Sequence, residues 1–253
     1  MASPDELSKL PIRYPVAIKP AIKEHFIYAT KVKAWRANNE EELMALFERA
    51  AAQVGHGEVM IQDFIPGDGR DQFAYCALFK NGKALGSVTV KRNRQHPAEF
   101  GKATTYAETV DMPEVKLLSE SFLRSINYYG LVELEYKRDS RDGLMKLIDV
   151  NPRTWGYHSI GSAAGVDFPY MLFSDQIGTT FDRQHGKVGI RWIRIVTDLP
   201  TAFLGIVNGR LRIRDYLRSL CKVDTEAVFC WDDPMPGLAE LGMLPYLYLK
   251  RGF

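Results

Sequence analysis

The chain has 253 residues, of which 46% are hydrophobic and 25% charged, as expected for a globular protein with a sizeable core. Lys and Arg number 33 against 31 Asp and Glu, and this balance disfavours a nucleic-acid binder that relies on a broad basic surface. Three scattered cysteines make no disulfide framework, and we find neither a signal peptide nor an apolar run near the roughly 18 residues of a membrane span. We therefore expect a cytoplasmic protein with neither a nucleic-acid nor a membrane partner.

The first quarter of the chain predicts three strands and a helix. Residues 14–20 form a short strand, and a second strand covers about 28–35. Asn38-Asn39 provides an N-cap for a helix that continues to about residue 54, and three glutamates follow at the positive end of the helix dipole. Gly55-His56-Gly57 ends this helix. A third strand over 58–65 leads into a turn rich in glycine.

The middle of the chain predicts two hairpins separated by a helix. Strands over 72–79 and 84–91 flank Asn81-Gly82, the strongest short hairpin signal in the sequence. Apolar residues at helical spacing predict a helix over 113–129, namely Val115, Leu118, Phe122 and Ile126. A second strand pair follows over 131–138 and 144–150. A further helical segment covers 161–176, and residues 191–253 form a tail with Leu- and Tyr-rich helical stretches.

The second hairpin contains the most informative polar residues. Glu133 and Glu135 are two apart on one strand and share a face, as do Asp149 and Asn151 on the next. Pairing of the strands brings Glu135 close to Asp149 and Asn151, and carboxylate and amide oxygens suit Mg²⁺. Arg153 follows directly and can reach phosphates. The alternative is an ordinary hairpin with charged side chains on its solvent face.

The segment 130–153 resembles the metal-binding hairpin of ATP-grasp enzymes, especially those of the carbamoyl-phosphate synthetase and biotin carboxylase branch. The resemblance implies that Glu135, Asp149 and Asn151 hold Mg²⁺, with Mn²⁺ as an alternative ion, and that Arg153 contacts the transferred phosphate. The family usually has Glu at the position of Asp149, so the shorter side chain moves the metal or requires a bridging water.

The resemblance covers about residues 14–178 and implies a nucleotide site. Its members place a lysine, here Lys19, on the α- and β-phosphates, and read the adenine edge with a hinge segment. The candidates for the hinge and for the ribose hydroxyls are Gln62, Asp63, Phe64, Ile65 and Asp71, with Asp68 as a second choice for the ribose. The glycine-rich phosphate loop of the family is missing, and Lys23 and His25 are candidates to replace its amides.

A basic cluster follows the first hairpin. Arg92 and Arg94 are predicted to share a face, and by the resemblance one of them stabilises charge during phosphoryl transfer. A solvated charged surface is the alternative interpretation.

Together these features predict an α+β ATP-grasp fold, with two α/β lobes and nucleotide between antiparallel sheets. Residues 1–62 are expected to form the N-terminal lobe, 63–190 the catalytic lobe, and 191–253 an extension packed on it. The implied activity is an ADP-forming ligase that activates a carboxylate for attack by an amine. A non-catalytic nucleotide-binding module and a small-molecule phosphotransferase are the alternatives. The family's N-terminal substrate domain is expected to be absent or supplied separately, and the tail is a structural cap or, alternatively, a homodimer face.

Overall fold

The computed structural model describes residues 7, 11–22, 34–67, 71–97, 101 and 103–251. These residues divide into two compact units, the first within residues 1–66 and 100–102, the second within 67–99 and 103–253.

The first unit is a small antiparallel sheet covered by one helix. Strand β1 (Val16–Pro20) lies between β2 (Trp35–Ala37) and β3 (Val59–Asp63), and helix α1 covers Glu40–Val54. The side chain of Asn39 accepts a hydrogen bond of 2.9 Å from the backbone N–H of Glu42, as its N-cap role predicts. The predicted second strand lies largely outside the described residues, and β3 is shorter at both ends than predicted.

An eight-stranded sheet forms the centre of the second unit, with the order β11-β10-β6-β5-β4-β7-β8 and β9 paired to β5. Its strands are β4 (Gln72–Lys80), β5 (Lys83–His96), β6 (Ala103–Thr109), β7 (Gly130–Arg138), β8 (Met145–Asn151), β9 (Gln184–His185), β10 (Arg191–Ile193) and β11 (Thr225–Glu226). Its helices are α2 (Pro113–Ser125), α3 (Ser159–Ala163), α4 (Phe168–Gln176), α5 (Ile195–Val207), α6 (Ile213–Leu220), α7 (Met235–Gly242) and α8 (Leu244–Arg251).

The predicted hairpin at Asn81-Gly82 is confirmed. Both residues have positive φ, 51° and 74°, the backbone that a two-residue turn between twisted strands requires. The second strand of this hairpin continues to His96, five residues beyond its predicted end.

Both faces of the large sheet are packed. One face, with Ala74, Val88 and Val90, is covered by Ile160, Phe168 and other apolar residues of α3, α4 and the flanking segments. The opposite face packs on α2 through Val115 and Leu123.

The structure corrects three predictions about the second unit. Strands β6, β9, β10 and β11 have no counterpart in the prediction, and β10 and β11 lie in the tail, for which the sequence predicts only helical stretches. The helix expected over 161–176 is two helices, separated at Gly165, whose φ of 88° is outside the helical region. Helix α2 ends at Ser125, and its buried stripe contains Val115, Ser119 and Leu123 instead of the predicted Leu118 and Ile126, which are exposed.

Candidate active site

The pairing of β7 with β8 brings the predicted metal ligands together. Glu135 lies directly opposite Asp149, and Glu133 lies directly opposite Asn151. The Asn151 amide nitrogen donates hydrogen bonds of 3.1 Å to both Glu133 and Glu135. Arg153 donates a hydrogen bond of 3.0 Å to the amide oxygen of Asn151. The hairpin therefore assembles an acidic cluster edged by a guanidinium. A register irregularity between Glu135 and Tyr136 creates this arrangement, because the pairing nearer the turn, with Tyr136 opposite Leu147, would otherwise place Glu135 opposite Ile148.

Arg92 reaches this cluster from β5, across the intervening strand β4. Ala74 of β4 pairs with Glu135 on one side and with Val90, two residues before Arg92, on the other, so Arg92 and Glu135 lie on the same face of the sheet. The Arg92 guanidinium forms a buried ion pair with Glu135. Its Nε is buried and has no hydrogen-bond partner among the residues that the structure describes, so one donor of this guanidinium is left unsatisfied there.

The sequence puts Glu133 on the same face as Glu135 but gives no role in the site to Glu133. It is buried, accepts a hydrogen bond from the Tyr157 hydroxyl as well as from Asn151, and faces the same cluster as Arg92. Burial, followed by the negative charge of Glu135, raises the pKa of the Glu133 carboxyl from 4.5 to about 7. Burial also raises the pKa of the Tyr157 phenol. Perturbed carboxyls of this kind are frequent at functional sites.

Arg94 lies elsewhere, so the two arginines do not form the expected same-face pair. An irregularity between Arg92 and Arg94 inserts one residue into β5 relative to β6, and this reverses the alternation after Arg92. Arg94 instead forms a two-pronged ion pair with Asp198 of α5, at 2.8 Å for each bond. It also donates a 3.0 Å hydrogen bond to Ser219 of α6. A catalytic role for Arg94 stays a prediction.

The predicted nucleotide contacts of the first unit lie on β1, on β3 and in the segment after β3. Lys19 is near the end of β1 and pairs with Met60. Gln62 and Asp63 end β3, and Phe64 continues the pairing through a backbone hydrogen bond of 3.2 Å to Pro15.

The other candidates fall into three groups. Ile65 is buried, so only its backbone is suited to reading a base edge. Asp71, in the second unit, is exposed. Lys23, His25 and Asp68 lie outside the described residues. A nucleotide-binding role for each of these residues stays a prediction.

The donor set fits Mg²⁺ in its chemistry. Two carboxylates directly opposite each other repel, and a cation between them removes that cost. The described residues contain no cluster of three or more His, Cys, Asp or Glu side chains arranged to enclose a metal ion. Mg²⁺ does not need such a cluster, because it usually binds one or two carboxylates and completes its shell with water and phosphate oxygens. Glu135 and Asp149, with the Asn151 amide oxygen, meet that requirement.

Solved structures identify the class of fold. The biotin carboxylase of Campylobacter jejuni, in a β-γ-ATP complex, superposes with a TM-score of 0.59 at 17% identity, over 75% of this chain and 44% of that one. The biotin carboxylase domain of the Hydrogenobacter thermophilus 2-oxoglutarate carboxylase, a dimer with MgADP and bicarbonate, gives a TM-score of 0.53 at 18% identity, over 71% and 40%. The chain therefore has the ATP-grasp fold, as the resemblance of its hairpin predicts.

Among curated proteins, the D-aspartate ligase of Enterococcus faecium (strain Aus0004) is 27% identical over 179 residues. The match covers 67% of this chain and 41% of the ligase, so the chain spans less than half the length of this relative. No family model matches the chain.

Proposed function

We propose that the chain is the nucleotide- and metal-binding part of an ATP-dependent, ADP-forming ligase that joins a carboxylate to an amine. The observation that supports this most directly is the cluster on β7 and β8, where Glu135 lies opposite Asp149 and Asn151 is held between Glu133, Glu135 and Arg153. The relative at 27% identity is a ligase, and the ATP-grasp fold agrees with this chemistry.

In this proposal Glu135, Asp149 and Asn151 hold Mg²⁺, or Mn²⁺ in its place. The ion supplies positive charge to phosphate oxygens as phosphate is transferred. Arg153 is at the exposed edge of the cluster and offers a planar fork of donors to the same phosphate. Arg92 is buried beneath, where it fixes the orientation of the Glu135 carboxylate. These groups position and neutralise charge, which is most of what phosphoryl transfer requires of a protein.

The proposed reaction has two steps. An oxygen of the substrate carboxylate attacks the γ-phosphorus of ATP, which releases ADP and forms an acyl phosphate. The amine then attacks the acyl carbon, the bond from that carbon to the phosphate oxygen breaks to release inorganic phosphate, and the nitrogen loses one proton to phosphate or water. Lys19 and the segment from Gln62 to Ile65 are the proposed nucleotide contacts of the first unit, and Asp71 is proposed for the ribose.

The division into lobes belongs to the same proposal, with residues 1–62 as the lid lobe and 63–190 as the catalytic lobe. We also propose that another domain, in the same or another polypeptide, helps to bind the substrates, since the match covers only 41% of the D-aspartate ligase. That relative makes D-aspartate and other amino acids the first carboxylates to assay.

Calorimetric titration of MgATP and MgADP tests the nucleotide and metal site. We expect binding that requires Mg²⁺ and is lost in the Glu135→Ala/Asp149→Ala variant. The matched control is Glu114→Ala/Asp142→Ala, which removes two partly exposed acids of the same unit, each in a surface ion pair. Equal binding by both double variants would exclude the proposed site.

Product analysis then distinguishes ligation from the other activities of this fold. A ligase releases ADP and phosphate and forms an amide only when both substrates are present. A phosphotransferase releases ADP and keeps the phosphate on its product, whereas a binding module releases neither.

A further inference from the structure

Helix α5 exposes an entirely apolar face. Its inner side packs on the large sheet through Thr197, Asp198 and Ala202. All of its exposed residues are apolar, namely Leu199, Pro200, Phe203, Leu204 and Val207. A surface helix normally exposes polar residues on the side away from the core, and a contiguous apolar face marks a binding surface.

Helix α6 extends this face. Its buried residue is Tyr216, and Ile213 and Leu217, one turn apart, are exposed on the helix. Helices α5 and α6 are fixed at the same point, because the guanidinium of Arg94 bonds to Asp198 of α5 and to Ser219 of α6. Both helices therefore contact one buried side chain, and we call the exposed residues between 199 and 222 the α5–α6 surface.

The α5–α6 surface is strongly basic along one part. Between residues 199 and 222 the sequence has five basic residues and one acidic residue, Asp215. The five are all exposed, and none of them forms an ion pair with a residue that the structure describes; they are Arg210, Arg212, Arg214, Arg218 and Lys222. Arg214 and Arg218 are one turn apart on α6, next to the apolar pair. The whole chain has a formal charge of only +2, so this is a local concentration of positive charge.

We propose that the α5–α6 surface binds the surface of an anionic lipid bilayer. Apolar side chains beside arginines match the surface of such a bilayer. The apolar side chains enter the boundary of the acyl region, and the arginines contact the phosphates of the lipid headgroups. A second copy of the chain is a poorer occupant, since this surface offers only Asp215 as an acidic partner for five basic residues. No helix of the described chain is long and apolar enough to cross a membrane. The proposed contact is peripheral, and it departs from the expectation of no membrane partner, which rested on the lack of a spanning segment and on the overall charge.

Vesicle sedimentation with the full chain tests this inference. We expect the protein to sediment with vesicles of equal parts phosphatidylcholine and phosphatidylglycerol, to sediment far less with phosphatidylcholine alone, and to be released by salt. Substitution of three of the basic residues (Arg212→Gln/Arg214→Gln/Arg218→Gln) should weaken binding about 100-fold, from about fivefold for each charge. The Phe203→Ser/Leu204→Ser variant should weaken it at least about tenfold, because it removes two apolar anchors.

Two control variants distinguish binding by the α5–α6 surface from non-specific adsorption to vesicles. Leu117 on α2 is 66% exposed and Phe203 is 65% exposed, so Leu117→Ser removes an apolar side chain of similar exposure elsewhere on the second unit. Lys83→Gln/Lys187→Gln removes two exposed charges away from the surface. Both control variants should bind vesicles as the unchanged protein does. Thermal unfolding of every variant checks that these exposed substitutions leave the fold intact.

Three outcomes would overturn the inference. The first is a lack of binding to the anionic vesicles, and the second is equal loss of binding in the control variants. The third is sedimentation velocity that shows a dimer or a complex with another protein, dissociated by Phe203→Ser/Leu204→Ser, without vesicle binding. MgATP titration of the same variants keeps this result separate from the proposed ligase site, because none of these substitutions touches the cluster on β7 and β8.

Discussion

The ion pair between Arg94 and Asp198 provides the sharpest test of how the second unit is held together. Asp198 is completely buried, and its two oxygens each accept a 2.8 Å bond from Arg94. The rings of Tyr106 and Tyr216 flank the guanidinium at 4.1 and 5.2 Å, and Ser219 accepts its third bond. We predict that Asp198→Asn removes the charge that balances Arg94 and strongly destabilises the protein.

The magnitude follows from the burial of both groups. The Arg94 side chain is only 13% exposed, so without Asp198 its charge is neither solvated nor paired. Breaking a buried pair by removal of one partner typically costs about 3–5 kcal/mol, a large part of the roughly 5–15 kcal/mol that stabilises a domain. Replacement of both partners, as in Arg94→Met/Asp198→Leu, leaves no unpaired charge and should recover much of the loss.

Urea unfolding followed by tryptophan fluorescence measures these effects. Ser219→Ala is a milder companion, expected to cost about 1.5–3 kcal/mol, because it removes the bond from the charged Arg94 guanidinium and the bond that Ser219 donates to the Tyr216 carbonyl. If the free energy of unfolding of Asp198→Asn falls by less than about 1 kcal/mol, the pair contributes no more than an exposed surface pair, and the predicted cost of an unpaired buried charge is wrong. If Asp198→Asn does not fold, the comparison rests on the double variant and on Ser219→Ala.

Three further predictions concern single side chains and use the same unfolding assay. The pKa of Glu133 is raised to about 7, so the folded state holds a proton that the unfolded chain releases near pH 4.5. The free energy of unfolding should therefore decline by up to about 3 kcal/mol as pH rises from 4.5 through 7. A Glu133→Gln variant whose stability changes with pH in parallel with the unchanged protein would contradict this. Gly161→Ala places a methyl group 2.5 Å from the ring of Phe168 and 2.7 Å from the carbonyl oxygen of Val166, and should cost about 1–3 kcal/mol. A neutral effect would mean that both the ring and the backbone at Val166 shift freely. Asn39→Ala removes the cap on the N–H of Glu42 and should cost about 1 kcal/mol, and an unchanged urea midpoint would show that water replaces the cap.

The sequence predicts best where one local rule determines the structure. Asn39 and Gly55 mark the ends of α1 because capping depends on neighbouring residues alone. Asn81-Gly82 specifies its turn for the same reason. Alternation along each strand puts Glu133 and Glu135 on one face, and likewise Asp149 and Asn151, so the members of the acidic cluster were predictable. The two pairs meet only because of the register irregularity between Glu135 and Tyr136, which no local rule predicts.

The prediction fails where distant contacts decide. The irregularity after Arg92 cannot be read from periodicity, and it sends Arg94 to α5 and α6 instead of the acidic cluster. Tyr157 reaches Glu133 only through the path of the segment after β8, which no motif specifies. A signal for Glu133 was present, since it shares the face of Glu135, but burial had to be known before its perturbed carboxyl could be recognised.

Glu135 and Asp149 differ in burial, so we expect their substitutions to affect stability differently. Glu135 is buried and balances the charge of Arg92, whereas Asp149 is only partly buried. Glu135→Gln therefore should lose Mg²⁺ binding and also destabilise the fold, because it leaves Arg92 buried with less compensation. Asp149→Asn should lose Mg²⁺ binding with little change in stability. Calorimetry and urea unfolding of both single variants separate the two effects, and equal stability losses would show that Asp149 also helps to balance the buried charge. Because Arg92 already neutralises one carboxylate before any metal binds, we infer that this site keeps its arrangement when nucleotide is absent and does not depend on Mg²⁺ to fold.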